Sequence, residues 1–185
     1  MRAFFESGAV RRLSYSYIVT GPFANLYVGN MAKEPQLGSF DVEKKEATLL
    51  GDGQGRISLT TMADVGRSLV AVLKHPEICD GKAIKVNSFT TTPHDILAEF
   101  ERQTDSKWKV NYTSLNDLKR YESEAWSQEN PLASIYTLRR IWTEGGTLYD
   151  KTDNEAIDMK KMDTLEMVIQ DTIHHPVSAF QSGKL

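Results

Sequence analysis

The chain has 185 residues, of which 40% are hydrophobic and 25% are charged, and its formal net charge is −3. This composition is typical of a folded domain, and the mild acidity argues against the basic surface of a nucleic-acid-binding protein. No apolar run is long enough to span a bilayer. The single cysteine, Cys79, excludes an internal disulfide and fits a reducing compartment. We therefore expect a soluble intracellular protein, cytoplasmic or alternatively nuclear, that binds neither nucleic acid nor membrane.

The first predicted elements are a short helix over residues 3–13 and a strand over residues 15–20. In this strand, β-favouring residues follow one another almost without a break, which is typical of a strand covered on both faces. A turn at Gly21-Pro22-Phe23 then leads into a helix that begins at Ala24. Residues 28–45 are polar and irregular, and they are predicted to form a surface loop, which could close over a ligand.

Two short strands, over residues 47–50 and 57–60, flank the glycine-rich sequence GDGQGR. A dinucleotide-binding loop needs GxGxxG directly before a helix, so that the helix N-terminus meets the pyrophosphate. Here the sixth position is Arg56 and a strand follows. A hairpin loop between the two strands is therefore the better interpretation.

The next predicted helix covers residues 61–74, where Thr61 and Asp64 have the spacing of a capping box. This box explains Asp64 better than a role as a catalytic acid. The apolar residues of the helix fall on one stripe, which is predicted to face the core. They are Met62, Val65, Leu69, Val72 and Leu73.

Further elements follow at regular spacing: a strand over 83–87, a helix opened by a Thr92–Asp95 box, a strand over 108–112, a helix opened by Ser114 and Asp117, and two helices over 131–142 and 163–173. The tail HHPVSAFQSGKL is predicted to fray. The apolar positions predicted to face the core are Ile96, Leu97, Phe100, Leu165, Val168, Ile169 and Ile173.

Few residues carry a chemical signature. None of the seven tyrosines has a lysine four residues later, no GxSxG sequence occurs, and the four histidines lack metal-ligand spacing. We predict no metal site, and the catalytic residues are unknown. Arg139 and Arg140 could grip a phosphate, but adjacent arginines on a helix are better explained as a solvated flank.

The remaining candidate is the turn Thr20-Gly21-Pro22-Phe23, with Asn25 and Tyr27 just after it. Ligands of doubly wound folds bind beyond the carboxyl ends of parallel strands, where this turn lies. The alternative is an ordinary turn between a strand and a helix, with Phe23 in the core. The spacing alone favours neither interpretation.

Several stretches together carry a family resemblance. YSYIVTGPFANLY and LLGDGQGRISLTTMADVGRSLVAVLKHP resemble the NmrA-like and isoflavone-reductase-like family, especially its fungal members. VNSFTTTPHDILAEFERQTDSKWKVNYTSL and LRRIWTEGGTLYDKTDN are similar to the C-terminal region of the same group. The resemblance covers essentially the whole chain, although no single motif is diagnostic.

The resemblance implies an atypical short-chain dehydrogenase/reductase. The expected fold class is α/β: the C-terminal remnant of a Rossmann-like parallel sheet with a small α+β substrate domain. Residues 1–88 would be the C-terminal part of the NAD(P)-binding domain with an inserted hairpin, and 89–185 a mostly helical substrate domain. The family's glycine-rich loop would precede Met1, so we expect a truncated chain that binds NADP(H) weakly or not at all.

By the same resemblance, Thr20, Gly21, Pro22 and Phe23 would lie beside the cofactor, and Phe23, Asn25 and Tyr27 would contact the substrate. The implied activity is NADPH-dependent reduction of a small aromatic or quinone-like acceptor. We expect this chain to be inactive on its own. The alternative is a non-catalytic regulatory or protein-interaction module. A protein partner or a second copy could then pair with the exposed strand edge.

Overall fold

The computed structural model describes residues 14–31 and 33–176 and has an α/β fold. The predicted helix over residues 3–13 lies outside the described residues, as does the tail from residue 177 onward. Within the described ranges, no helix combines the length and the apolar character that crossing a membrane requires.

Seven short strands lie in the described part of the chain, and the five that the sequence predicted are confirmed to within two residues at each end. The strands are β1 (Tyr17–Val19), β2 (Ser39–Asp41), β3 (Glu46–Leu50), β4 (Ile57–Leu59), β5 (Ala83–Lys85), β6 (Phe89–Thr91) and β7 (Lys109–Thr113).

Seven α-helices accompany these strands in the same ranges, together with a 3₁₀ turn at Pro35–Leu37. The helices are α1 (Ala24–Tyr27), α2 (Met62–Lys74), α3 (Pro76–Cys79), α4 (Pro93–Thr104), α5 (Leu115–Ser127), α6 (Ala133–Thr143) and α7 (Leu165–His174). Their starts follow the predicted caps, since the side chains of Thr61, Thr92 and Ser114 each accept a hydrogen bond from the amide three residues later.

The strands form three small sheets rather than one. β1 pairs with β5 in parallel, β3 lies between antiparallel β2 and parallel β7, and β4 pairs with antiparallel β6. The predicted hairpin between β3 and β4 is therefore wrong. The glycine-rich loop between them is held to other elements, because Gly51 N–H donates to Thr113 O (2.9 Å) and His94 N–H donates to Gly53 O (3.1 Å).

The main core lies between the second sheet and helices α4 and α7. Phe100 and Phe40 stack with their ring centroids 5.3 Å apart, and Trp108 packs on Phe100. The positions predicted to face the core from α4 and α7 are confirmed, since each is buried or packs against this cluster. Residues 28–45 are not a surface loop, because Leu37 and Phe40 are buried there and hydrophobic burial folds the segment inward.

Burial differs from the prediction in β1 and α2. β1 is half-buried on each of its residues, and within the described ranges its one strand partner is β5. On α2, Met62, Leu69 and Leu73 are 55%, 52% and 72% exposed. The helix instead turns a narrow side toward the protein, and the residues buried there are Asp64, Ser68 and Val72. We call Met62, Leu69, Val70 and Leu73 the apolar stripe of α2.

A second, smaller core lies beside the β1–β5 pair. It is built from buried residues of α2, α3, β5, the residue after β5 and the segment before α7, namely Val72, Cys79, Ile84, Val86, Ile157 and Met159. Cys79 ends α3 and is fully buried, and its carbonyl accepts a hydrogen bond from Ser16 Oγ (2.8 Å). This contact joins α3 to the residue just before β1.

Candidate functional site

A cavity of about 300 Å³ lies where the chain leaves β1, facing helix α6. One wall comes from the turn after β1 and from α1, and the other from α6. The lining residues are Gly21, Pro22, Phe23, Leu26, Tyr27, Ile135, Leu138, Arg139 and Trp142. The lining is mainly apolar and aromatic, as in pockets that bind small organic molecules.

The turn that forms the first wall is fixed by its backbone. Gly21 has a φ of +65°, and a Cβ at this position would lie 3.2 Å from Ser58 O. Thr60 N–H donates to Pro22 O (3.1 Å), and Ala24 N–H donates to Thr60 O (2.9 Å). The glycine therefore makes the turn sterically accessible, and the end of β4 holds Pro22 and Phe23 against the cavity.

The structure brings four of the six predicted site residues together in the cavity: Gly21, Pro22, Phe23 and Tyr27. Two others have different surroundings. Thr20 Oγ1 donates to Gly21 O (3.2 Å), and Asn25 Oδ1 accepts from Met62 N–H (3.1 Å) at the start of α2. The roles assigned to these residues stay predictions.

The second wall is helix α6, which the sequence predicted as a helix but not as part of the site. The prediction for Arg139 on this helix is wrong. Arg139 is 3% exposed and is therefore not part of a solvated flank. Its neighbour Arg140 does face outward, where it bonds Glu122 and Glu144. The available signal was helical spacing, because Arg139 lies four residues after Ile135 and three before Trp142, on the apolar side of α6.

Aromatic rings surround the Arg139 guanidinium. Its Cζ lies 4.5 Å from the ring centroid of Tyr27 and 5.7 Å from that of Trp142. Nη1 donates to Tyr27 O at the long distance of 3.4 Å. Burial lowers the pKa of Arg139, but a guanidinium remains charged in proteins. Burial raises the pKa of the Tyr27 phenol, and the nearby Arg139, through its charge and a side-chain hydrogen bond, opposes this rise only in part.

A second polar cluster surrounds Asp64, which is fully buried at the start of α2. Its carboxylate accepts hydrogen bonds from Arg67 Nε (2.6 Å), Asp163 N–H (3.0 Å) and Ser88 Oγ. The predicted capping box is only half formed, because Thr61 N–H donates to Ser88 Oγ instead (2.9 Å). Burial raises the pKa of Asp64, but these hydrogen bonds together hold it below its usual value.

Residues 8–166 match the profile of the NmrA-like family. The chain belongs to the NmrA-like family. Oxidoreductase aprR of Aspergillus flavus is 29% identical over 144 residues, which cover 78% of this NmrA-like chain and 46% of that protein. Isoflavone reductase of Medicago sativa is 22% identical over 156 residues, covering 80% and 48%.

The fold is also that of solved reductases. A structure of AtPrR2 with NADP⁺ and (+)pinoresinol superposes with a TM-score of 0.71 at 18% identity, covering 90% of the NmrA-like chain and 55% of that chain. These matches confirm the predicted α/β, Rossmann-like fold class. The chain spans about half the length of the curated relatives it matches.

The N-terminus of α2 does not fit the pyrophosphate of NADP(H). Helix α2 directly follows β4, and its N-terminus would be the natural anion site. However, the carboxylates of Asp64 and Asp163 already occupy its first turn, where Arg67 pairs with both. A phosphate there would meet negative charge. The first turn of α2 is therefore not available to a phosphate in the described residues.

Proposed function

We propose that this chain is the substrate-binding portion of an NADPH-dependent oxidoreductase that acts on a small aromatic or quinone-like acceptor. The observation that carries the proposal is the aromatic cavity at the carboxyl end of β1. Phe23 and Tyr27 line one wall and Trp142 the other, so a planar ring in the cavity can pack against aromatic side chains. The family membership supports the oxidoreductase class.

The relatives support the same class of ligand. AtPrR2 has been solved with (+)pinoresinol and NADP⁺ together, and aprR is named an oxidoreductase. In our proposal, residues 1–88 belong to the cofactor-binding domain and residues 89–185 to the substrate domain. Thr20 to Phe23 would face the nicotinamide, and Phe23, Asn25 and Tyr27 would face the acceptor.

Binding of a neutral two-ring phenol tests the proposal. We expect 2-naphthol to bind the purified chain in isothermal titration calorimetry. Leu138→Trp should weaken this binding at least tenfold, because the larger side chain fills part of the cavity. Leu148→Trp is the matched control, since Leu138 and Leu148 are 39% and 41% exposed but Leu148 does not line the cavity. No binding by the wild type, or equal effects of both variants, would contradict the proposal.

A non-catalytic interaction module is the second candidate, and the apolar stripe of α2 favours it. Clustered exposed apolar side chains mark protein-interaction surfaces more often than isolated ones do. A partner protein or a second copy would cover this stripe and the outer edge of β1. Sedimentation velocity over a range of concentrations tests this candidate: self-association that Leu69→Lys with Leu73→Lys abolishes would favour it, and a concentration-independent monomer would argue against a second copy.

A further inference from the structure

Arg139 is the one basic side chain that is buried in the described part of the chain. No carboxylate of those residues lies within ion-pair distance of it, and its buried Nε donates to no acceptor there. The adjacent Arg140, in contrast, bonds Glu122 and Glu144. Two neighbouring arginines of one helix therefore differ in whether the described residues supply their negative partner.

A buried charge is costly unless it is paired and hydrogen-bonded. The Tyr27 and Trp142 rings compensate part of this cost through cation–π contacts. The Tyr27 carbonyl adds one long hydrogen bond. The Tyr27 phenol is not a counterion, because burial raises its pKa and keeps it neutral near pH 7. The described residues thus stabilise the guanidinium without neutralising its charge.

The position of this charge connects it to the cavity. Arg139 lines the same cavity as Phe23, Leu138 and Trp142, whose side chains are apolar. An acidic group brought in by a ligand would meet the guanidinium in surroundings of low polarity, where an ion pair is stronger than in water. The planar guanidinium also matches the two oxygens of a carboxylate in a bidentate arrangement.

We propose that the cavity selects aromatic compounds that carry a carboxylate, with the carboxylate bound by Arg139 and the ring held between Phe23 and Trp142. This inference rests on the proposed function, because it names the substrate class of the same cavity. It goes further in assigning Arg139 as the residue that determines specificity. The ligand completes the ion pair that the described residues leave open.

A pair of probes that differ only in charge tests the inference. 2-Naphthoate and 2-naphthamide have the same ring system, and the amide replaces the carboxylate without its charge. We expect the wild-type chain to bind 2-naphthoate roughly tenfold or more tightly than 2-naphthamide in calorimetry at pH 7, as a charge-assisted hydrogen-bond pair implies. Arg139→Gln should bind the two probes equally, whereas Arg140→Gln should keep the full preference.

Each outcome bears on one of the two proposals. Equal affinities in the wild type, or a preference that survives Arg139→Gln, would overturn the role of Arg139 while leaving an aromatic cavity in place. Failure of both probes and of 2-naphthol to bind would overturn the proposed function itself. If Arg139→Gln does not fold, Arg139→Lys takes its place, and it should retain only part of the preference because it keeps the charge without the planar fork. A full preference in Arg139→Lys would overturn the role of the guanidinium.

Discussion

At the scale of single residues, Gly21 is the position where backbone geometry shapes the cavity most directly. Its φ of +65° and the 3.2 Å approach of Ser58 O leave little room for a side chain. We expect Gly21→Ala to lower the free energy of unfolding by about 1–3 kcal/mol, because it strains a left-handed backbone conformation. Chemical denaturation measures this change.

Gly66 provides the matched control for Gly21. It lies inside α2, and a Cβ there would have no heavy atom within 4 Å. Gly66→Ala should therefore raise the free energy of unfolding, by up to about 1 kcal/mol, through better helix propensity. An unchanged or raised free energy of unfolding in Gly21→Ala, as in Gly66→Ala, would show that the turn after β1 tolerates a side chain.

Asp64 gives the chain an acid sensitivity. Hydrogen bonds hold its pKa below the usual value in the folded protein, against the effect of burial. The folded state therefore gains stability at pH values above the unfolded pKa, and this stability is lost as the pH falls through the folded pKa. Asp64→Asn should lower the free energy of unfolding at pH 7 by about 2 kcal/mol and flatten its dependence on pH below 4. Denaturant titrations at several pH values measure both effects.

Asp117→Asn is the control for this prediction. Asp117 holds the same third position in α5 and also has a lowered pKa, caused by hydrogen bonds from Ser114 and Arg120. Its side chain is half exposed, whereas that of Asp64 is buried. A pH dependence that Asp117→Asn changes as strongly as Asp64→Asn would show that burial of the carboxylate does not set the effect.

At the scale of elements, the apolar side that the sequence of α2 predicts is not the side that the fold buries. Leu73 lies on the apolar stripe and is 72% exposed, whereas its neighbour Val72 is 6% exposed. Leu73→Lys should change the free energy of unfolding by less than about 0.5 kcal/mol. Val72→Ala should lower it by about 1–2 kcal/mol through lost burial. An equal loss in both variants at micromolar concentration would show that another surface covers the stripe in solution.

Local signals predicted the helices well because caps and helix formation depend on neighbouring residues. Thr92 and Asp95 form the full capping box that their spacing indicates, and Ile96 and Phe100 are buried as their periodicity requires. Contacts between elements that are distant in sequence could not be predicted from such local signals. Hydrophobic periodicity shows that α2 has an apolar side, but tertiary packing buried the side that carries Asp64.

The candidate site shows the same division. The turn at Gly21 and Pro22 could be found from glycine and proline following a β-favouring run. The wall formed by α6 could not be found in this way, because about 110 residues of sequence separate it from that turn. The contact between the two depends on the tertiary fold. Strand pairing is equally nonlocal, since β3 joins β7 rather than β4, its neighbour in sequence.

At the scale of the whole molecule, cofactor affinity is the most informative quantity. A ligand that binds only the native state raises the midpoint of thermal unfolding. Because Asp64 and Asp163 occupy the first turn of α2, we expect millimolar NADPH to leave the midpoint of this chain unchanged. 2-Naphthol, measured alongside, should raise it. A clear rise with NADPH would contradict this prediction and would show that the chain itself binds the cofactor.

The buried position of Cys79 makes the protein its own reporter of slow opening. The chain has one thiol, which is fully buried, and burial, together with the nearby Glu77 and Asp153 charges, raises its pKa. A thiol reagent can therefore react at an appreciable rate only after the region around α3 and β1 opens. The labelling rate under native conditions measures the frequency of that opening, without any introduced probe.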